Sequence, residues 1–354
     1  MNQGLVEPLV EEPPGERRGA RGLKVWLGLV LGFGVAGLGL GMMELAGLAV
    51  LAGMFAAAQA ADLDSRWKGL DDALFWIAPV GGAGIFIALA VALVAVGQRL
   101  PLHWVAAAFC VVAATLALMS LWRPFADTLA RRLFRDATHT TRLAARVVPL
   151  GILLAFPAWL MVLEHRDVLF EDPDLIGPAE LWGGLIGLVL LSLGGVGFQV
   201  RRHVRETLAR LGIGPMRVSH LGIAALGVAA LFAVNSGAEW VQRLYFPSEY
   251  VSDQRMNQMI AGHLTRAEAL LLGLTAGVGE EISLRGALQP RLGLVLTSLL
   301  FAALHVQYSW FGMGVILILG MLLGWIRKRT NTTTAIAVHA VYDVLAVFGV
   351  QQVT

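Results

Sequence analysis

Apolar residues occupy this chain in long unbroken runs, with neither the strict alternation of strands nor the one-sided stripe of soluble helices. A helix needs roughly 20 predominantly apolar residues to cross a bilayer. Runs of that kind recur near 72–98, 103–122, 146–164, 181–199, 218–236, 266–287, 292–308, 311–326 and 333–350. A further run, 24–61, is too long for one ordinary span and carries a charge in its middle, Glu44. The polar segments between the runs alternate in sign. "WRPFADTLARRLFRDATHTTRLAAR" is basic, "EHRDVLFEDPDLIGPAE" acidic, "RRHVRETLARLGIGPMR" basic again, and "RKRTN" closes the series. Short Lys/Arg-rich loops stay in the cytoplasm, so 123–145, 200–217 and 327–331 are expected there. With the basic N-terminal stretch "GERRGARGLK" on the same side, an even number of spans precedes residue 123. The run 24–61 then reads as a hairpin of two spans turning near "GLGMMEL"; one long tilted helix is the rival arrangement that hydropathy tolerates. The pattern predicts an all-α, polytopic transmembrane helix bundle of about 10 to 11 spans.

Composition agrees. The chain has 354 residues, 57% hydrophobic and only 15% charged, with a mean hydropathy of +0.69, too apolar for a water-soluble domain. Its net charge of +2 sits in short loops without a basic patch, which excludes nucleic acid as a partner. Cys110, the single cysteine, lies in "WVAAAFCVVAATLALM" and reads as a small buried hydrophobe. Residues 1–22, with three prolines and mixed charge, read as a disordered cytoplasmic tail without the apolar core of a signal peptide. The high Gly and Ala content, without eukaryotic sorting signals, points to a bacterial inner membrane.

Residues 23–265 form the N-terminal membrane helices and identify no chemistry. Glu164, His165, His220 and Glu239 fall at span ends, where such side chains reach water. Residues 266–350 differ, because ionisable groups stand inside three successive spans at helical spacing. Glu281 and Arg285 are four apart and share a helix face, so they can pair. Glu280, one residue back, points elsewhere and needs a partner from another helix. The next span carries His305, with Phe301 one turn before it; the last carries His339 and Asp343, again four apart. Ionisable groups within spans are expensive and mark functional sites by default.

In order, "EEISLRG", "FAALH" and "HAVYD" resemble the three motifs of the CPBP family of intramembrane endopeptidases, also called the type II CAAX-processing or Abi family. Their pattern is EExxxRG, FxxxH and HxxxN or HxxxD. The flanks "LQPRL" and "GWIRKRTNTTTAIAVH" are similar too. Leu284 stands where an aromatic is common, and Asp343 where Asn is commoner; an ionised Asp cannot donate a hydrogen bond as Asn can. The resemblance implies a membrane-embedded hydrolase that cleaves peptide bonds of membrane-associated protein or peptide substrates, with lipid as its other partner. It implies that Glu280 and His305 activate water, that Glu281 and Arg285 orient the site, and that His339 and Asp343 stabilise the oxyanion. Glu280, His305 and His339 could instead supply three ligands of a catalytic zinc, but no HExxH is present; a glutamate-activated water without metal or other cofactor is the expectation. A proton- or ion-coupled transporter and a non-catalytic immunity or scaffold protein are the readings from other classes. A water-filled cavity opening to the cytoplasm, with a dipping loop at 286–291, is expected to let the two histidines reach the glutamates.

Overall fold

The computed structural model describes residues 14–96, 101–169 and 177–352. The described residues are helical apart from turns and one isolated bridge, Phe198 to Arg202.

The run 24–61 is the expected hairpin. Helix α1 (Pro14–Gly39) turns through Gly41, in the left-handed region at φ +75°, into α2 (Met43–Leu63). A Cβ on Gly37 would come within 2.9 Å of the Ala46 nitrogen, so the two helices cross at backbone contact beside the turn. Helix α1 begins at Pro14, so residues 14–22 are helical and not a disordered tail; residues 1–13 lie outside the described ones. Proline is pre-set for a first helical turn, and it starts the helix where composition alone suggests a tail.

After a short turn come α3 (Lys68–Leu74), α4 (Ile77–Val96) and α5 (Pro101–Met119), which is bent by 101° from α6 (Arg123–Phe134). Helix α7 (His139–Leu169) carries Pro149 and Pro157 internally; the side chains of Glu164 and His165 lie outside the described ones. Helices α8 (Pro178–Val196), α9 (Val204–Leu211), α10 (Val218–Tyr245) and α11 (Pro247–Ala261) lead to the polar segment. There α12 (Arg266–Glu280) passes into a π-helical stretch, Glu281–Leu288, then α13 (Gln289–Leu292) and α14 (Leu294–Ala303). Helices α15 (Trp310–Arg329) and α16 (Thr332–Gln352) complete the fold.

Among the described residues eight helices are long and apolar enough to cross a membrane, nine if the bent α5–α6 pair counts as one span. The bundle is therefore polytopic as expected, with fewer full spans than 10 to 11. The difference lies partly at the polar segment, where the run 292–308 yields an α14 of only 10 residues and α12 has 15 before the π-helix. Nor does a loop dip at 286–291, since the backbone stays helical through Leu292. Pro290 sits in the first turn of α13, where its missing N–H breaks no helical bond. The side chains of Arg285 and Gln289 also donate to the carbonyls of Gly320 and Gly324 on α15, at 3.1 and 2.8 Å.

The basic segments gather at one end of the bundle. Arg291 pairs with Asp136 at 2.9 Å, and Arg210 donates to the carbonyls of Gly286 and Ala287. Thr332 donates to the Leu211 carbonyl at 2.6 Å, while Trp26 of α1 donates to Phe198 at 2.8 Å. Burial, together with neighbouring Arg202, Arg291 and Arg327, pulls the Arg210 guanidinium down to about 10. The opposite end carries the α1–α2 turn, α11 and the loop 304–309 that joins α14 to α15.

Candidate active site

Helix α12 reaches α16 through glycine. A Cβ on Gly277 would lie 2.8 Å from the backbone nitrogen of Ala340, and one on Gly273 would clash with Ala340 and Val344. On α15, a Cβ on Gly320 would lie 2.7 Å from the ring of Phe301, and Gly324 is equally crowded by Leu294 and Gln289. These small-residue faces let backbones approach closely enough for short polar side chains to meet between helices. The π-helix, a geometry that recurs at functional sites, then displays Glu281 and Arg285. Ser283 ties it to α8, with its Oγ 2.8 Å from Ser192 Oγ and 3.0 Å from the Leu188 carbonyl oxygen.

His339 sits astride the two glutamates. Its Nδ1 lies 2.9 Å from Glu281 Oε1, and an ionised carboxylate only accepts, so Nδ1 is the donor. Its Nε2 faces Asp343 at 3.4 Å and Glu280 at 3.9 Å. Adjacent glutamates therefore address opposite nitrogens of one imidazole. Glu281 and Arg285 are both essentially inaccessible and stand 3.1 Å apart, close enough for an ion pair but not aligned as a hydrogen bond. The Arg285 guanidinium lies 4.5 Å from the centre of the Phe301 ring, a cation–π contact. Glu280 keeps one buried oxygen, Oε2, that accepts no hydrogen bond among the described residues.

His305 stands just beyond α14. Measured along the helices from the basic end, at about 1.5 Å per residue, His305 and Glu280 lie at comparable depth, because the helix holding Glu280 runs on to Leu292. The Phe301 carbonyl accepts from His305 Nδ1 at 2.8 Å, which leaves Nε2 as the open nitrogen. The Phe301 ring lies edge-on to both imidazoles, with centroids 4.7 Å from His305 and 5.9 Å from His339. His305, His339 and Asp343 line a cavity of about 490 Å³ walled by α10, α11, α15 and α16, within the range of ligand sites.

Glu280, Glu281, Arg285, His339 and Asp343 thus come together. His305 reaches the group across Phe301 and makes no ion pair with a carboxylate among the described residues. Among the described residues no three His, Cys, Asp or Glu side chains stand where they could hold a metal ion. The cavity lies in the half of the bundle that carries α11, away from the basic end. The reason is that α14 stops halfway and its continuation, 304–309, is held to α11: Asp253, buried, accepts from Ser309 N and Oγ at 2.7 Å each and from Gln242 at 2.8 Å. Trp159 donates to the Tyr308 carbonyl at 3.1 Å. Motif and spacing do not mark Asp253, Ser192 or Ser283, since each acts across helices far apart in sequence.

Residues 263–345 match the family profile described as Type II CAAX prenyl endopeptidase Rce1-like. The chain is also 29% identical over 167 residues to the uncharacterized protein YpbD of Bacillus subtilis (strain 168), a match covering 46% of this chain and 84% of the relative. No solved structure matches. The matched residues hold the two glutamates, the arginine, both histidines and Asp343. Over residues 263–345 the chain is thus similar to the type II CAAX prenyl endopeptidase Rce1-like family.

Proposed function

We propose that the protein is an intramembrane endopeptidase that hydrolyses peptide bonds of membrane-associated polypeptides with a water activated by Glu280. The observation that carries this reading is the convergence of three carboxylates on His339 at the wall of a cavity, beside a buried Glu280 oxygen with no internal partner. Such an oxygen suits a bound water, and a carboxylate in a site of low dielectric is a competent base.

In this reading Glu280 takes one proton from water while the open Nε2 of His305 accepts its other O–H and aims the oxygen at the scissile carbonyl carbon. The C–O bond forms, and the carbonyl oxygen becomes the oxyanion. Collapse then breaks the C–N bond, with the proton held by Glu280 passing to the leaving amine. Glu281 and Asp343 hold His339 beside the reacting carboxylate, and Arg285 keeps Glu281 in place. No step uses a metal. The setting we infer is a bacterial inner membrane, with lipid around the bundle and a peptide in the cavity.

The test is hydrolysis of mixed-sequence peptides by purified protein in ¹⁸O-labelled water. The wild type should place ¹⁸O in the new carboxylate, and folded Glu280→Gln should lose about 100-fold or more of the rate. Unchanged turnover in that variant would remove Glu280 from the chemistry.

A further inference from the structure

The cavity's far wall is built from carboxamides, which water activation does not use. Gln254, Asn257 and Gln258 fall at i, i+3 and i+4 on one face of α11, and Asn235 and Gln242 stand two turns apart on α10. All five line the cavity that also holds His305, His339 and Asp343. Three of them spend one end of the amide inside the protein. Asn235 donates to Glu239 at 3.1 Å, Gln242 donates to Asp253 at 2.8 Å, and Asn257 accepts from the Tyr308 hydroxyl at 3.0 Å. Their other ends, two carbonyl oxygens and one NH₂, make no hydrogen bond among the described residues and remain for a guest.

A carboxamide carries one acceptor and paired donors, the same inventory as a peptide unit. An array of them set along two helices matches the main chain of an extended polypeptide and is indifferent to its side chains. The charge on the wall argues against a lipid head group. Among the described residues Arg243 is the only guanidinium or ammonium group lining it, against the carboxylates of Glu239, Asp253 and Asp343, whereas phosphate recognition needs clustered cations. The arginine-rich segments are at the other end of the bundle, and such segments stay on the cytoplasmic side. The cavity, in the half of the bundle that carries α11, therefore lies on the non-cytoplasmic side of those segments.

Resting on the endopeptidase reading above, we propose that the carboxamide wall of α10 and α11 binds the main chain of an extended polypeptide segment presented from the non-cytoplasmic face. Gln258 is exposed and Gln254 half-buried, and neither touches the reacting groups.

Binding is read apart from cleavage, on full-length Glu280→Gln protein, by fluorescence anisotropy with a dye-labelled short peptide of mixed sequence. Replacing both Gln254 and Gln258 with Leu in that background should weaken binding roughly tenfold, the equivalent of about one hydrogen bond lost. N-methylating the peptide backbone should weaken binding to the parent protein similarly and add little in the double variant, a control that does not depend on how the variant folds. Right-side-out vesicles should bind the peptide and inverted vesicles should not. Binding that ignores both changes, binding only to inverted vesicles, no binding at all, or displacement by phosphatidylglycerol micelles in place of sensitivity to N-methylation would each overturn the proposal. If the peptide binds as described and the wild-type protein cleaves nothing, the endopeptidase reading falls while the groove stands.

Discussion

Helices α1–α7 and α8–α16 solve the problem of packing in a membrane differently. The first group closes on alanine: Ala49, Ala52, Ala56 and Ala60 form a buried seam on α2, and Ala106, Ala113, Ala114 and Ala117 line α5 against Ala83 and Ala90 of α4. Its ion pairs, such as Arg142 with Asp127, sit toward the basic end. The second group closes on glycine and then spends the proximity on charge, so that Glu281, Arg285 and His339 are buried between spans. Small residues serve both groups, but only in the second does close approach create a polar interior. In hydrocarbon a charge without a partner is far costlier than a cavity, and this separates a scaffold that tolerates change from a centre that does not.

The contrast breaks most readily at Glu281. Glu281→Ala leaves Arg285 buried without its carboxylate and His339 Nδ1 without its acceptor, and loss of one partner of such a pair costs about 3–5 kcal/mol; thermal unfolding in detergent should show a large drop, together with lost cleavage. A Glu281→Ala protein as stable as the wild type would mean the charges are not coupled. Next comes Gly277→Leu, whose side chain must enter the Ala340 backbone. Overpacking costs roughly 1–3 kcal/mol or more, and here both stability and turnover should fall because α12 carries the site. Ala113→Leu, in the fully buried α5 seam, should cost a similar 1–3 kcal/mol while leaving turnover per folded molecule unchanged. A matched loss of turnover would show that the N-terminal helices do more than support. The smallest effect is expected on chelation: exhaustive metal removal should leave activity intact, and zinc that restored a lost rate in proportion to its binding would refute the metal-free route.

Much of this contrast is legible in the sequence. Alternating loop charge separates the hairpin at 24–61 from a single long helix, and the gathering of Arg210, Arg291 and Asp136 at one end of the bundle accords with it. Motif spacing picks out the six polar residues and their likeness to an endopeptidase family. Pairing across helices is not legible, because spacing of four only reports neighbours on one helix. Glu280 and Glu281 therefore read as diverging, whereas His339 collects both. Length misleads at 292–308, where a full apolar run holds a short helix and a loop anchored by the distant Asp253. The loop expected to dip at 286–291, so that the histidines reach the glutamates, is instead helical, held by carbonyl contacts from Arg285 and Gln289.

Glu44 supplies the sharpest control, since it is a carboxylate within a span of the N-terminal group and lies within electrostatic reach of Glu280. Peptide-bond turnover should be measured for Glu280→Gln and Glu44→Gln side by side, at equal amounts of folded protein. If the C-terminal cluster is the reacting centre and the N-terminal helices its scaffold, the first variant loses about 100-fold or more and the second keeps wild-type turnover. Equal losses in both, or a loss confined to Glu44→Gln, would contradict the account.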